Sequence, residues 1–120
     1  MYDRIAIDDV EPRDIEGIEP ALLPIGLELK PERMRPSVWH YDAGEKNEYH
    51  RQGEQEELYV VLDGALEATI ERDDREVVEL TTGDVLVVPP ESWRQLEAIE
   101  ESRVLVVGAP NVKDDAIHEE

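Results

Sequence analysis

Three histidines, His40, His50 and His118, and a large stock of carboxylates are the side chains of this 120-residue sequence best able to bind a metal or move a proton. Cysteine is absent, which excludes disulfides, thiolate metal sites and a thiol nucleophile. What remains is hard nitrogen and oxygen chemistry from His, Asp, Glu and Gln. The informative stretch follows Gly44, where Tyr49, His50 and Gln52 precede an apolar run that begins at Glu57. His40 stands beside Trp39 outside that stretch and reads as a surface or interface residue. His118 falls in a polar tail and reads as inert.

The elements that must position these groups are short strands. Residues 21–29 and 35–42 are strand-like and flanked by Pro or Gly. Residues 57–63 carry the core LYVVL, apolar on both alternating faces, as expected of a strand covered on both sides. Asp63-Gly64 turns the chain into 65–71, where Leu66, Ala68 and Ile70 alternate with Glu67, Thr69 and Glu71. Further strands are expected at 75–80, 85–88, 94–99 and 103–107, with polar or Gly and Pro turns between them. Strands recurring about every ten residues indicate an all-β sandwich or barrel. Residues 1–20 read as an N-terminal arm, 21–109 as the barrel and 110–120 as a loosely held polar tail. No helix of two turns is expected.

Composition narrows the partners. The net charge is −19, from 31 acidic and 12 basic residues, yet 40% of the chain is hydrophobic and falls into regular runs. Periodic apolar runs mark a folded acidic protein rather than a disordered one. A surface so rich in Asp and Glu resembles that of proteins from salt-loving organisms, where salt screens self-repulsion. The same field repels phosphate backbones, so nucleic acid is not an expected partner. No membrane helix or signal peptide is apparent, and a cytoplasmic setting is expected.

Two Gly-anchored segments resemble the paired motifs of the cupin superfamily, G-x5-H-x-H-x4-E-x6-G and G-x5-P-x-G-x2-H. The first is matched in spacing by GEKNEYHRQGEQEELYVVLDG, from Gly44 through His50, Gln52 and Glu57 to Gly64. The second is matched by Gly83, Pro89 and Arg94, with Glu91 and Arg94 departing from the family's Gly and His. The resemblance spans about residues 35–108 and is that of a small single-domain cupin of the cupin 2 type. It implies an antiparallel jelly-roll β-barrel.

It also implies where a metal would sit. In the family, H-x-H places two imidazoles on the lumen face, and a Glu and a third His complete the site. The matching positions here are His50, Gln52, Glu57 and Arg94, so two standard ligands survive. Gln52 could still offer an amide oxygen. Arg94 has no lone pair to give, and its charge about 5 Å from a divalent ion would cost roughly 7 kcal/mol at an effective dielectric near 20. Pairing of Arg94 with Glu57 in a metal-free pocket is the expected alternative. A one-residue slip would instead turn Gln95 inward and leave a weak oxygen-rich site. Tyr59 shares the parity of Glu57 and is expected to line the pocket. Trp39, Tyr41 and Trp93 read as core or interface aromatics.

Three readings of function follow. The barrel binds a small metabolite, an anion held on Arg94 being one form of this, with His50 or Glu57 available for proton transfer. Alternatively, His50, Gln52 and Glu57 hold a weakly bound divalent ion (Fe, Mn, Ni or Zn) in a dioxygenase or isomerase. In the third, the chain is an interaction module with a vestigial pocket. A homodimer is expected in each case, from the doubly apolar 58–62 strand and the pairing habit of the resembled family.

Overall fold

The computed structural model describes residues 2–71 and 73–118. Its strands are β1 (Ala21–Leu23), β2 (Arg35–Tyr41), β3 (His50–Gln52), β4 (Glu56–Asp63), β5 (Ala65–Glu71), β6 (Arg75–Thr81), β7 (Val85–Val88), β8 (Arg94–Ala98), β9 (Ser102–Ala109) and β10 (Ala116–His118). They form two five-stranded antiparallel sheets, ordered β1-β2-β9-β4-β7 and β10-β3-β8-β5-β6, which face each other as a jelly roll. No helix among the described residues is long and apolar enough to cross a membrane.

Alternation along the strands sorts side chains between the lumen and the outside. On β4, Glu57, Tyr59 and Val61 are buried inward, while Leu58, Val60 and Leu62 point outward and are partly covered. On β5, Leu66, Ala68 and Ile70 are buried, as the alternation of the sequence predicts. Leu96 and Ala98 of β8 and Val104 and Val106 of β9 complete the inner core. The turn at Gly64 allows no side chain. Its φ is +111°, and a Cβ there would lie 2.1 Å from Oγ of Ser102. That hydroxyl accepts the amide of Ala65 at 3.0 Å and donates to the carbonyl of Ala65 at 3.2 Å.

The N-terminal arm packs against the outer face of the first sheet. Val10 is buried with Leu23, Ile25 and Val38, and Ile5, Ile7, Leu29, Leu62 and Leu105 pack around them. The arm covers only part of this face. Val85 and Val87 on the edge strand β7 remain 61% and 53% exposed, beside Val60 and Leu58 of β4.

Two expectations fail. The strand predicted over 21–29 ends at Leu23, and Ile25–Leu29 form a single helical turn, α1. Pro24 offers no amide to a sheet ladder, and Lys30 closes the turn with φ 53°, its amide donating to the carbonyl of Gly26 at 3.0 Å. The predicted loose tail is also corrected. Ala116–His118 pair with β3 as the edge of the second sheet. Asp115 fastens this strap: its carboxylate accepts the amides of Glu54 at 2.9 Å and Gln55 at 2.8 Å. These contacts join residues 60 or more apart in sequence, so no local pattern announces them.

Candidate functional site

The lumen opens as a cavity of about 760 Å3. His50, Gln52, Glu57 and Tyr59 all line it, together with Trp39, Tyr41, Glu48 and His118. At its inner wall an ion pair joins the two sheets. Glu57 extends from β4 of the first sheet, and Arg94 extends from β8 of the second, where its neighbours are His50 and Ile70.

The parity of β8 is therefore settled. Arg94, Leu96 and Ala98 turn inward and are buried. Gln95 turns away and donates from Nε2 to the carbonyl of Asn47 at 2.9 Å. Arg94 is 1% exposed and stands behind the cavity wall rather than in it.

Its donors are nearly all engaged. Nη2 donates to Oε1 of Glu57 at 3.0 Å, and Nε donates to the Tyr59 hydroxyl at 3.2 Å. Nη1 donates to the carbonyl of Ser92 at 2.7 Å and reaches that of Pro90 at 3.3 Å. The Pro89-Pro90 turn thus folds its carbonyls onto the guanidinium. The Tyr59 hydroxyl in turn donates to Oε1 of Glu57 at 2.7 Å. Burial, then the Glu57 charge, push the Tyr59 phenol well above its ordinary value, so it keeps its proton and remains a donor. The other carboxylate oxygen of Glu57, the side-chain amide of Gln52 and the Tyr41 hydroxyl have no protein hydrogen-bond partner among the described residues; the backbone amide of Gln52 donates to the carbonyl of Pro90 at 2.8 Å.

His50 is held in one tautomer. Its Nδ1 lies 2.8 Å from the carbonyl of Glu48, a contact that only a protonated Nδ1 can make. The lone pair of a neutral ring is then on Nε2, 4.0 Å from Oε1 of Glu57, too far for a hydrogen bond. Burial lowers the His50 pKa and the Arg94 charge adds to that; the Glu48 carbonyl and the Glu57 charge oppose them without reversing the shift. The imidazole therefore faces the cavity as a neutral acceptor, the form a general base requires.

An aromatic ladder on the outer side fixes the two segments that carry His50 and Arg94. Tyr49 stacks on Trp93 at 5.7 Å with planes 11° apart. Arg51 covers Trp93 at 5.6 Å, and Arg75 covers Tyr49 at 4.7 Å. Tyr49 also donates to the carboxylate of Glu71.

The four positions matched to the family's ligands do not suit a metal ion. Arg94 offers no lone pair, and Oε1 of Glu57 already accepts two hydrogen bonds. A cation introduced there would have to displace the guanidinium from a buried pocket in which four of its five N–H donors are engaged. A different cluster, His40, Asp42 and Glu101, brings donor atoms within 4.8 Å of one another. It lies outside this cavity, with Nε2 of His40 3.2 Å from Oε2 of Glu101 on the surface.

Sequence reasoning brought His50, Gln52, Glu57 and Tyr59 to the cavity wall, but it placed Arg94 there too, whereas the buried guanidinium lies behind the wall, and it did not read other residues as wall. Tyr41 belongs to the inner core, as read, and Trp39 packs against it; both also face the cavity, a role that their shared parity on β2 could have signalled. His118 gave no signal, because only the pairing of β10 brings it to the rim, where it meets Glu48 at 2.8 Å.

This fold and this site define a cupin. The cupin domain family matches residues 37–108, and the chain belongs to that family. Among solved structures it is similar to the polyketide cyclase RemF from Streptomyces resistomycificus, with TM-score 0.84 and 17% identity over 100% of this chain and 87% of that one. It is also similar to KdgF from Halomonas sp., with TM-score 0.75 and 21% identity over 89% and 94% of the two chains. An RmlC-like cupin from Shewanella frigidimarina gives TM-score 0.74 and 18% identity over 89% of each. At these identities the likeness is one of fold. No curated protein matches the sequence significantly.

Proposed function

We propose that this chain is a metal-independent cupin whose barrel binds a small organic molecule, with His50 placed to accept a proton from it. The observation that carries this reading is Arg94, buried at the position matched to the family's third histidine and bonded to Glu57, Tyr59 and Ser92. An open cavity of about 760 Å3 lies within the range of small-molecule sites and favours ligand binding over a vestigial pocket. The acidic surface supports a working environment of high salt.

Elemental analysis of protein purified without chelators tests the reading. Less than a tenth of an equivalent of Fe, Mn, Ni or Zn is expected, on the order of trace occupancy for a site whose fourth position is a guanidinium bonded to its carboxylate. Stoichiometric metal lost on Glu57→Gln would overturn the proposal and restore the metal-dependent alternative. As a positive control, Arg94→His combined with Gln52→His should gain divalent-ion binding.

A further inference from the structure

Resting on the open-pocket reading, we infer that the barrel accepts neutral or cationic ligands bearing a hydrogen-bond donor and rejects carboxylates and phosphates, because Glu57 stands between the cavity and the buried charge of Arg94.

Arg94 is the cation that an anionic ligand would seek, and it is out of reach. Its guanidinium is 1% exposed and does not line the cavity. Four of its five N–H donors are accounted for by Glu57, Tyr59 and the carbonyls of the 89–92 turn. The side chain in front of it is a carboxylate, and the oxygen that Arg94 and Tyr59 leave unused is an acceptor. An incoming anion would meet like charge there, and the donors left to it on the wall, the Tyr41 hydroxyl and the Gln52 side-chain amide, carry no charge to offset its own.

The rest of the wall repeats the pattern. Among its described residues the one Lys or Arg is Arg35, at the mouth, where Nη1 is engaged with Oδ1 of Asn111 at 3.3 Å. Glu16, Glu48 and Glu57 supply three carboxylates, of which Glu48 is tied to His118 at the rim. The hydrogen bond from Nδ1 to the Glu48 carbonyl leaves His50 with an acceptor nitrogen toward the lumen. Two acceptors, Glu57 and His50, thus converge on a cavity that Trp39 also lines. A hydroxyl or amine satisfies them, whereas a carboxylate leaves these buried acceptors unpaired and finds only neutral donors for its own charge within the lumen.

Three size-matched probes test this: benzyl alcohol, benzylammonium and benzoate, titrated at one fixed ionic strength. The chain has two tryptophans, Trp39 and Trp93, so the full-length Trp93→Phe variant reports on the cavity through Trp39 fluorescence. Benzyl alcohol and benzylammonium are expected to perturb the signal at concentrations at least about tenfold below any effect of benzoate, the ratio set by leaving one charged group unpaired. Benzoate binding as tightly as benzyl alcohol would overturn the charge selectivity and leave the open pocket standing. Silence from all three probes would overturn the pocket reading and this inference with it. Glu57→Gln, which uncovers the charge of Arg94, should raise benzoate affinity about tenfold. A folded Glu57→Gln protein that still rejects benzoate would remove Glu57 as the determinant.

Discussion

Nη2 of Arg94 and Oε1 of Glu57 lie 3.0 Å apart across the interior of the barrel, one side chain from each sheet. Both are nearly sealed from solvent, at 2% and 11% side-chain exposure. The pair sets a buried cation against a buried carboxylate at two of the positions matched to the family's metal ligands. Four consequences can be measured.

Breaking the pair from one side should be far worse than removing it. Arg94→Ala leaves Glu57 uncompensated in the core and should cost about 3–5 kcal/mol of unfolding free energy. The double variant Glu57→Leu with Arg94→Met should recover most of that loss, since an apolar pair of similar volume needs no solvation. Urea unfolding at constant salt would decide; equal losses in both variants would show that the pair contributes only packing.

The histidine gives a pH signature. Burial holds His50 below its unfolded value of about 6.5. Above that value the ring is neutral in both states and its contribution to stability is complete. As pH falls through about 6.5 the unfolded chain takes up the proton first, and stability declines until the folded pKa is passed. Wild type should therefore lose more stability than His50→Asn between about pH 7.5 and 5. Carboxylate titrations are common to both proteins and largely cancel in the difference. Parallel stability curves would contradict the lowered His50 value.

Asp115 should be a disproportionate contributor at the chain's end. Its carboxylate accepts the amides of Glu54 and Gln55, so Asp115→Ala strands two donors. A loss of about 1.5–3 kcal/mol is expected, as for hydrogen bonds to a charged group. Amide exchange should accelerate first at residues 50–55 and 116–118. Protection unchanged at those positions would show that β10 is held by its ladder alone.

The uncovered half of the first sheet predicts self-association. Val85 and Val87, beside Val60 and Leu58, form an exposed apolar patch in a chain of charge −19. A second copy meeting the same patch across a two-fold axis would bury these apolar rows. Sedimentation in molar salt should show a dimer, and Val85→Glu with Val87→Glu should yield monomers. A wild-type monomer at micromolar concentration would contradict the prediction.

Much of this architecture was legible because turn chemistry and period 2 act locally. Gly64 and Gly83 mark turns with positive φ, and the apolar alternation of 65–71 fixed its inward face. The spacing of His50, Gln52 and Glu57 was enough to bring them to one cavity. The direction of Arg94 was not decidable, since Pro89 and Pro90 allowed either register; what selects it is a set of carbonyls and a carboxylate gathered from the turn and from β4. The short helix at Ile25–Leu29 was hidden because five apolar-rich residues cannot display a 3.6-residue period. His118 was invisible for a different reason: its place depends on a pairing with His50, 68 positions earlier in the sequence.

That pairing has a bearing on how the protein must be handled. With β10 in place, the backbone of β3 next to His50 is capped on its outer side. A proteolytic nick in the segment before Asp115, or a bulky fusion that pulls His118 away, would bare this row of amides and carbonyls beside an open mouth. Another chain could add to the sheet there, turning a preparation with ragged C-termini into a mixture of clogged and vacant barrels whose apparent affinity would vary from batch to batch.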